Sequence, residues 1–336
     1  MSETSTYWLY EAGIGENRAM LVDGGVCRKI RIERLESGVR AGGVVDARFV
    51  QQWVAGMSGI VCLETGEEAL LQPIPEGLTE GSNVRVEITR ASWNEKNGQE
   101  KRAKARPAAS GTAIAAGPGL LAQIEANGIA VKPVRAHGVD DLTLQGWPEA
   151  LEEAETGKLD FDGGTLLICV TPAMTVIDID GPLAPFELAK RAAKQVALLL
   201  PRLDITGSVG VDFPTLDTKA KRTEIGKIFD DHMSADCERT AVNGFGFMQI
   251  VSRKTGPSVV ELLQANQILN AALQMLRQAE RSTGTGELCL ELHSAVAAKL
   301  NAHPQWLEEL AKRSGRPVRL EAKGNVPIQG GRIVTG

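Results

Sequence analysis

The sequence predicts an α/β protein, α+β overall, whose β-rich N-terminal half carries a small barrel and leads into an α/β layer and a small C-terminal α/β lobe. Two observations carry this expectation. Up to about residue 106, short apolar runs alternate with Gly-containing turns at strand-like spacing. Beyond residue 119, apolar strand-like segments alternate with amphipathic helical stretches, the pattern of helices layered on a sheet. At 336 residues, 43% of them hydrophobic, the chain is long enough for two or three compact units.

Residues 7–35 alternate apolar and polar side chains around Asp23-Gly24-Gly25, which is hairpin chemistry. Strand-like runs at 43–49, 57–63, 69–72 and 83–88 follow, as a small barrel requires. Trp93 to Arg106, WNEKNGQEKRAKAR, holds five basic and two acidic residues without apolar periodicity and reads as an exposed, positively charged loop. Residues 107–119, rich in Ala, Gly, Ser and Pro, are the expected linker. Helical stretches at 120–127 and 147–158 lead into one apolar segment at 165–179. An amphipathic helix at about 185–200, a strand at 208–211 ending at Asp212, a helix at 219–233, a strand at 245–252 and one long helix at 259–281 come next. A strand at 288–292, helices at 294–301 and 304–314 and a strand at 317–321 close the chain. The division expected is therefore 1–106, linker 107–119, an α/β catalytic domain at 120–258, and a helix with a terminal lobe at 259–336.

Charge and composition exclude some functions. With 37 basic and 42 acidic residues the net charge is −5, so the chain is no polycationic nucleic-acid coat. Aromatics at 4% argue against a surface of many stacking platforms. Cys27, Cys62, Cys169, Cys237 and Cys289 are scattered without a CxxC pair, which points to reduced, mostly buried thiols and no structural zinc. The N-terminal segment lacks a basic and then apolar leader, and no apolar run approaches a membrane span, so a cytoplasmic protein with no membrane partner is expected.

Asp178 and Asp212 are the informative pair. Each is the first carboxylate after an apolar strand, in TVIDID and VGVDF, and a helix connects the two strands. Such a crossover makes neighbouring strands parallel and brings both carboxylates to one edge, where ligands bind. Two hard oxygen ligands there describe a Mg²⁺ site, although Asp after a strand is also a common turn former or helix cap. Lys96, Lys101, Arg102, Lys104 and Arg106, with Arg253 and Lys254 after GFGFMQIVS, are candidates for phosphate contacts and equally fit a solvated surface. The four histidines stand apart and form no triad or ligand cluster. DIDGPL also resembles the first motif of haloacid-dehalogenase-like phosphatases, with Asp178 as nucleophile and Asp180 as its acid/base partner. The acidic pair that should close a later strand then falls on Asp230 and Asp231, in a helical stretch.

The order of features resembles the ribonuclease E/G family over nearly the whole chain. AMLVDGG is similar to the family's VALVDG opening, and GGVVDARF through VRVEITRA to its inserted OB-type RNA-binding barrel. GGTLLICVTPAMTVIDIDG, the most specific match, is similar to the segment ending in IDIN; VGVDF is similar to the strand ending in IDF, and GFGFMQIVSRK to RFGLLEMSR. The resemblance implies a Mg²⁺-dependent endoribonuclease, with Mn²⁺ as the alternative ion, that cuts single-stranded RNA by metal-activated water to leave a 5′-phosphate and a 3′-hydroxyl. It implies that Asp178 and Asp212 hold the metal and that Asp180 stands where an Asn orients the first. Pro172 and Gln249 replace Glu, Thr215 replaces Asp, and aliphatics near Ile60, Leu70 and Leu71 replace the barrel's stacking aromatics. The chain is too short for the family's 5′-end sensor, and the zinc-link CxxC is absent, so any oligomer is not zinc-linked. These departures motivate a second expectation, an RNA-binding protein that has lost catalysis.

Overall fold

Strands β1 (Tyr7–Ala12), β2 (Glu16–Asp23) and β3 (Val26–Arg34) form an antiparallel meander in the computed structural model of the chain, which describes residues 6–36 and 38–335. Residues 1–5, the start of the segment read for a leader, lie outside the described residues. The expected hairpin turn is Gly24-Gly25, both at positive φ (59° and 75°), a conformation that glycine enters without a Cβ clash.

The barrel follows: β4 (Val44–Val54), β5 (Ser58–Leu63), β6 (Glu68–Leu71), β7 (Asn83–Arg90), a small hairpin of β8 (Trp93–Asn94) and β9 (Glu100–Lys101), and β10 (Ala103–Pro107). The five long strands close in the order β4-β5-β6-β10-β7, with β6 and β10 parallel and every other pair antiparallel. Phe49, Val61, Leu71, Val86 and Ile88 fill the interior. The expected basic loop is thus half strand. Ala103 and Ala105 point inward beside Ala69 and Leu71, and Lys104 and Arg106 point out. Alanine is too small to announce an apolar face, which is why this stretch reads as solvated in the sequence.

Residues 108–119 are irregular, apart from a bridge between Ala115 and Val44. After α1 (Leu120–Glu125), strand β11 (Val131–Pro133) returns to pair in parallel with β1, so the first sheet takes its fourth strand from beyond the linker. Leu9, Met20, Val22 and Ile30 share one core with α3 (Trp147–Thr156) and α4 (Pro185–Arg202), while α2 (Asp141–Leu144) leads into α3. The barrel is an insertion between β3 and α1, and the meander belongs to the central body.

That body is built on β12 (Lys158–Phe161), β13 (Gly164–Val170), β14 (Thr175–Asp180), β15 (Ser208–Asp212), β16 (Glu238–Arg239) and β17 (Phe247–Val251), in the order β12-β13-β14-β15-β17-β16. The apolar segment expected at 165–179 is two strands, because Thr171 and Met174 close a tight turn through the Thr171 N–H and the Met174 carbonyl, 3.0 Å apart. β14 and β15 are the parallel pair, joined by α4, and α5 (Lys219–His232) packs beside α4. One sheet face, with Ile177, Ile179, Val209, Val211, Met248 and Ile250, is buried in the core that includes both helices. The opposite face is open: Leu167, Cys169, Asp178, Asp180 and Asp212 are exposed.

The long helix expected at 259–281 breaks at Asn266 (φ −148°, ψ 84°) into α6 (Val259–Ala265) and α7 (Gln267–Arg281), because the Asn266 side chain accepts from the Leu269 N–H and caps the second helix. Val259, Val260 and Leu263 join the central core, whereas α7 packs with β18 (Leu288–His293), α8 (Ser294–Asn301), α9 (Pro304–Ser314), β19 (Val318–Lys323) and β20 (Arg332–Thr335). The change of core falls at Asn266, not at residue 258. Among the described residues no helix is long and apolar enough to cross a membrane.

Candidate functional site

Period-2 alternation decides which side chains of the central sheet meet solvent. In β14 Ile177 and Ile179 enter the core, so Val176, Asp178 and Asp180 take the other face; in β15 Val209 and Val211 enter, leaving Gly210 and Asp212 outside. The parallel register then makes Asp178 and Asp212 direct cross-strand partners, on strands about 4.8 Å apart. The same register logic puts Leu167 of β13 beside Asp178 and Phe247 of β17 beside Asp212.

Among the described residues none of Asp178, Asp180 and Asp212 makes an ion pair. Asp178 Oδ1 accepts from the Ile179 N–H at 2.9 Å and Asp180 Oδ1 from the Gly181 N–H at 2.8 Å, so each keeps one oxygen uncommitted. Two adjacent, uncompensated carboxylates completed by water are a ligand set that Mg²⁺ accepts, and the donors fit that ion. No group of three or more His, Cys, Asp and Glu side chains converges on one point among the described residues.

The floor of this face is aromatic. A β-carbon on Gly210 would stand 2.5 Å from Cζ of Phe247 and 3.2 Å from the Met174 sulfur, so the Phe247 ring lies across the glycine. Gln249, the cross-strand partner of Gly210, is half-buried on the same face. Just beyond the strand, Phe245 is 84% exposed. Asn243 Oδ1 accepts from the N–H groups of both Phe245 and Phe247, at 2.9 and 3.1 Å, and holds the turn that presents the ring. Sequence periodicity reads residues 245–252 as one strand and passes over these positions; the Asn243-Gly244 pair is the turn signal that marks them.

The basic candidates separate into two groups. Lys101 donates to Glu95 Oε1 at 2.9 Å and to the Pro172 carbonyl at 2.8 Å. Lys254 is paired with Glu261 and packs over Trp93, whose ring also meets Arg90 and Lys101, with the three cations 5.1 to 5.4 Å from its centroid. Burial pushes the Lys254 ammonium below its usual pKa. Arg102 pairs with Glu68, and Arg106 forks onto Glu87. Lys96, Lys104 and Arg253 are exposed and have no ion pair among the described residues. Burial, with Arg90 and Lys101 close by, pushes Lys104 down.

The β8–β9 hairpin therefore fastens the barrel to the turn before β14, and the Ala91 N–H adds a bond to the Thr255 carbonyl. On the barrel Ile60 is buried and Leu70 half-buried, while Trp53 near the β4–β5 tip is 59% exposed with the Arg102 guanidinium 5.6 Å above its ring. Asp230 and Asp231 lie in α5, and Asp230 is paired with Arg239. In comparisons with known proteins, no family model matches the chain and no curated protein does.

Proposed function

We propose that the protein is a cytoplasmic Mg²⁺-dependent endoribonuclease that cuts single-stranded RNA without sensing a 5′-monophosphate, as its resemblance to the ribonuclease E/G family implies. The observation that carries this reading is the register that makes Asp178 and Asp212 neighbours on the open face of the central sheet. The strand order of the barrel is that of an OB fold, an architecture that takes oligonucleotides, and supports a single-stranded partner. Asp178 and Asp212 would hold Mg²⁺, or Mn²⁺ in its place. The ion, when bound, supplies Lewis acidity toward a phosphoryl oxygen and lowers the pKa of water.

The chain's own groups do the positioning. The exposed face around Asp178, Asp180 and Asp212 leaves the carboxylates accessible to a flexible strand. The Ile179 N–H holds one oxygen of Asp178 and so orients the other. Asp180 adds negative charge two residues along the same face and favours a cation there. Arg253 follows Val251, the partner of Ser208 at the start of β15, and Lys96 sits beside the turn before β14, so with Lys104 they offer charge to phosphates farther along the RNA strand than the two aspartates. No CxxC pair follows Lys254, where the chain enters α6 through a Ser258–Glu261 capping box, so the proposal includes no zinc-linked oligomer.

The test is cleavage of a fluorescent single-stranded RNA with Mg²⁺ and with chelator, by wild type, Asp178→Asn and Asp212→Asn. Metal-dependent products from wild type and a loss of at least about a hundredfold in either variant, with RNA binding retained, are expected. Full activity in both variants would remove the site assignment. One observation favours a second reading, an RNA-binding protein without catalysis: Gln249, on this face, stands where the resembled motif has a carboxylate. That reading gives binding without products under any metal condition. The phosphatase alternative lacks its second acidic pair at a strand end, since Asp230 and Asp231 are helical.

A further inference from the structure

We propose that Phe245 is a stacking platform for one nucleobase of the RNA strand that lies across the Asp178–Asp212 face. The proposal rests on the reading of that face as an RNA site and adds the residue that grips a base there. Phe245 is the most exposed large apolar side chain among the described residues, at 84%, and it lies two residues before Phe247, the cross-strand partner of Asp212. A lone phenyl ring offers far less than the roughly 800 Å² per partner that a stable protein interface needs, but it matches the area of one planar base.

The turn that carries the ring is held in place. Asn243 Oδ1 accepts from Phe245 N–H and Phe247 N–H, the Asn243 N–H donates to the Phe247 carbonyl at 3.0 Å, and the Gly246 N–H donates to the Asn243 carbonyl at 3.2 Å. Gly246 sits at φ +95°, and its carbonyl accepts from the Phe213 N–H at 3.1 Å, which pins the turn to the residue after Asp212. A β-carbon at Gly246 would stand 2.1 Å from the Phe213 carbonyl oxygen, so this close docking requires glycine. A turn ordered before binding loses little entropy when a base stacks on it. The Phe247 ring, which covers Gly210 and pairs across the strands with Asp212, continues the apolar surface from Phe245 toward the carboxylates. A base on Phe245 thus leaves its backbone phosphate near the two aspartates, and stacking accepts any base.

The experiment measures the affinity of the full chain for a short labelled single-stranded RNA in chelator, by fluorescence anisotropy, for wild type, Phe245→Ala and Phe245→Trp. An abasic ribose-phosphate oligomer of the same length is the second probe, and thermal unfolding checks that both variants fold. The expected result is an affinity about tenfold or more weaker for Phe245→Ala, near wild type for Phe245→Trp, and no difference among the three on the abasic probe. Equal RNA affinity of wild type and Phe245→Ala overturns the proposal. So does a deficit that persists on the abasic probe, and so does failure of wild type to bind RNA. Cleavage with Mg²⁺, run on the same proteins, separates the two readings: a stacking effect without products keeps the platform and removes the nuclease. Products that Phe245→Ala forms with unchanged kcat and KM keep the nuclease and remove the platform.

Discussion

Gly210 shows how a residue without a side chain shapes the candidate site. It occupies an outward position of β15 where any Cβ would strike the Phe247 ring, so the ring can cover the strand beside Asp212 only because position 210 has no side chain. Gly210→Ala is expected to lift Phe247 off the sheet and to cost about 1–3 kcal/mol of stability, as overpacking does. Chemical denaturation checks the cost, and an unchanged midpoint would show that the ring has another resting place. The cationic residues divide by the same local test. Lys101 and Lys254 spend their charge on Glu95 and Glu261 and pack against Trp93, whereas Lys96, Lys104 and Arg253 keep theirs for solvent or a ligand.

At the scale of elements, the stretch from Trp93 to Pro107 does two jobs. Its hairpin docks the barrel on the turn before β14, and its last strand closes the barrel through small inward alanines. Replacing Lys96, Lys104 and Arg253 together by Ala is expected to lower the slope of log affinity against log salt for single-stranded RNA by about 0.7 for each phosphate that these side chains neutralise. Lys101→Ala is expected instead to loosen the barrel against the central sheet, read as faster hydrogen exchange in β8 and β9. Equal salt slopes for the triple variant and wild type would assign those three residues to solvent alone. The docking was not legible in the sequence, because Pro172, which accepts from Lys101, and Thr255, which accepts from Ala91 just before the hairpin, are far along the chain, and a charge run carries no mark of which charges are neutralised in the fold.

At the scale of the whole molecule, a buried ionic network ties the first sheet to α7 of the terminal lobe. Glu11 binds Arg18, Arg277 and Arg281, and Glu16 binds Arg34 and Arg277. Burial raises the Glu16 pKa, but Arg34, Arg277 and Arg18 outweigh it and hold the carboxyl below its ordinary value of 4.5. Glu11 is lowered in the same way, with Arg18 and Arg277 overcoming its burial. Burial also pulls Arg18 down to about 10, still charged at neutral pH. Because the two folded carboxyl values lie below the unfolded ones, their contribution is fully present above about pH 4.5. It is lost as pH falls through the folded values. Arg277→Ala is expected to cost about 3–5 kcal/mol at neutral pH, since it strands buried carboxylates, and to flatten the acid limb of stability against pH. A variant as acid-sensitive as wild type would place that limb elsewhere, for instance at Asp204 with Lys29 and Arg31.

Local patterning was enough to place Asp212 at the end of its strand and Asp178 on the apolar strand before the crossover, the Gly24-Gly25 hairpin, the short barrel strands, α4 as a crossover and the helices of the terminal lobe. Each rests on a period of two or 3.6 residues, or on a turn residue, that a few neighbours determine. What required the folded chain was pairing across distance. β11 joins β1 from beyond the linker, the register sets Asp178 directly opposite Asp212 and not merely at the same edge, the Asn266 break hands α7 to a different core, and Phe245 is left in solvent while Phe247 is laid on Gly210. Sequence periodicity tells which side of a strand a residue takes. Only tertiary packing decides which strand lies next to it and whether anything covers that side.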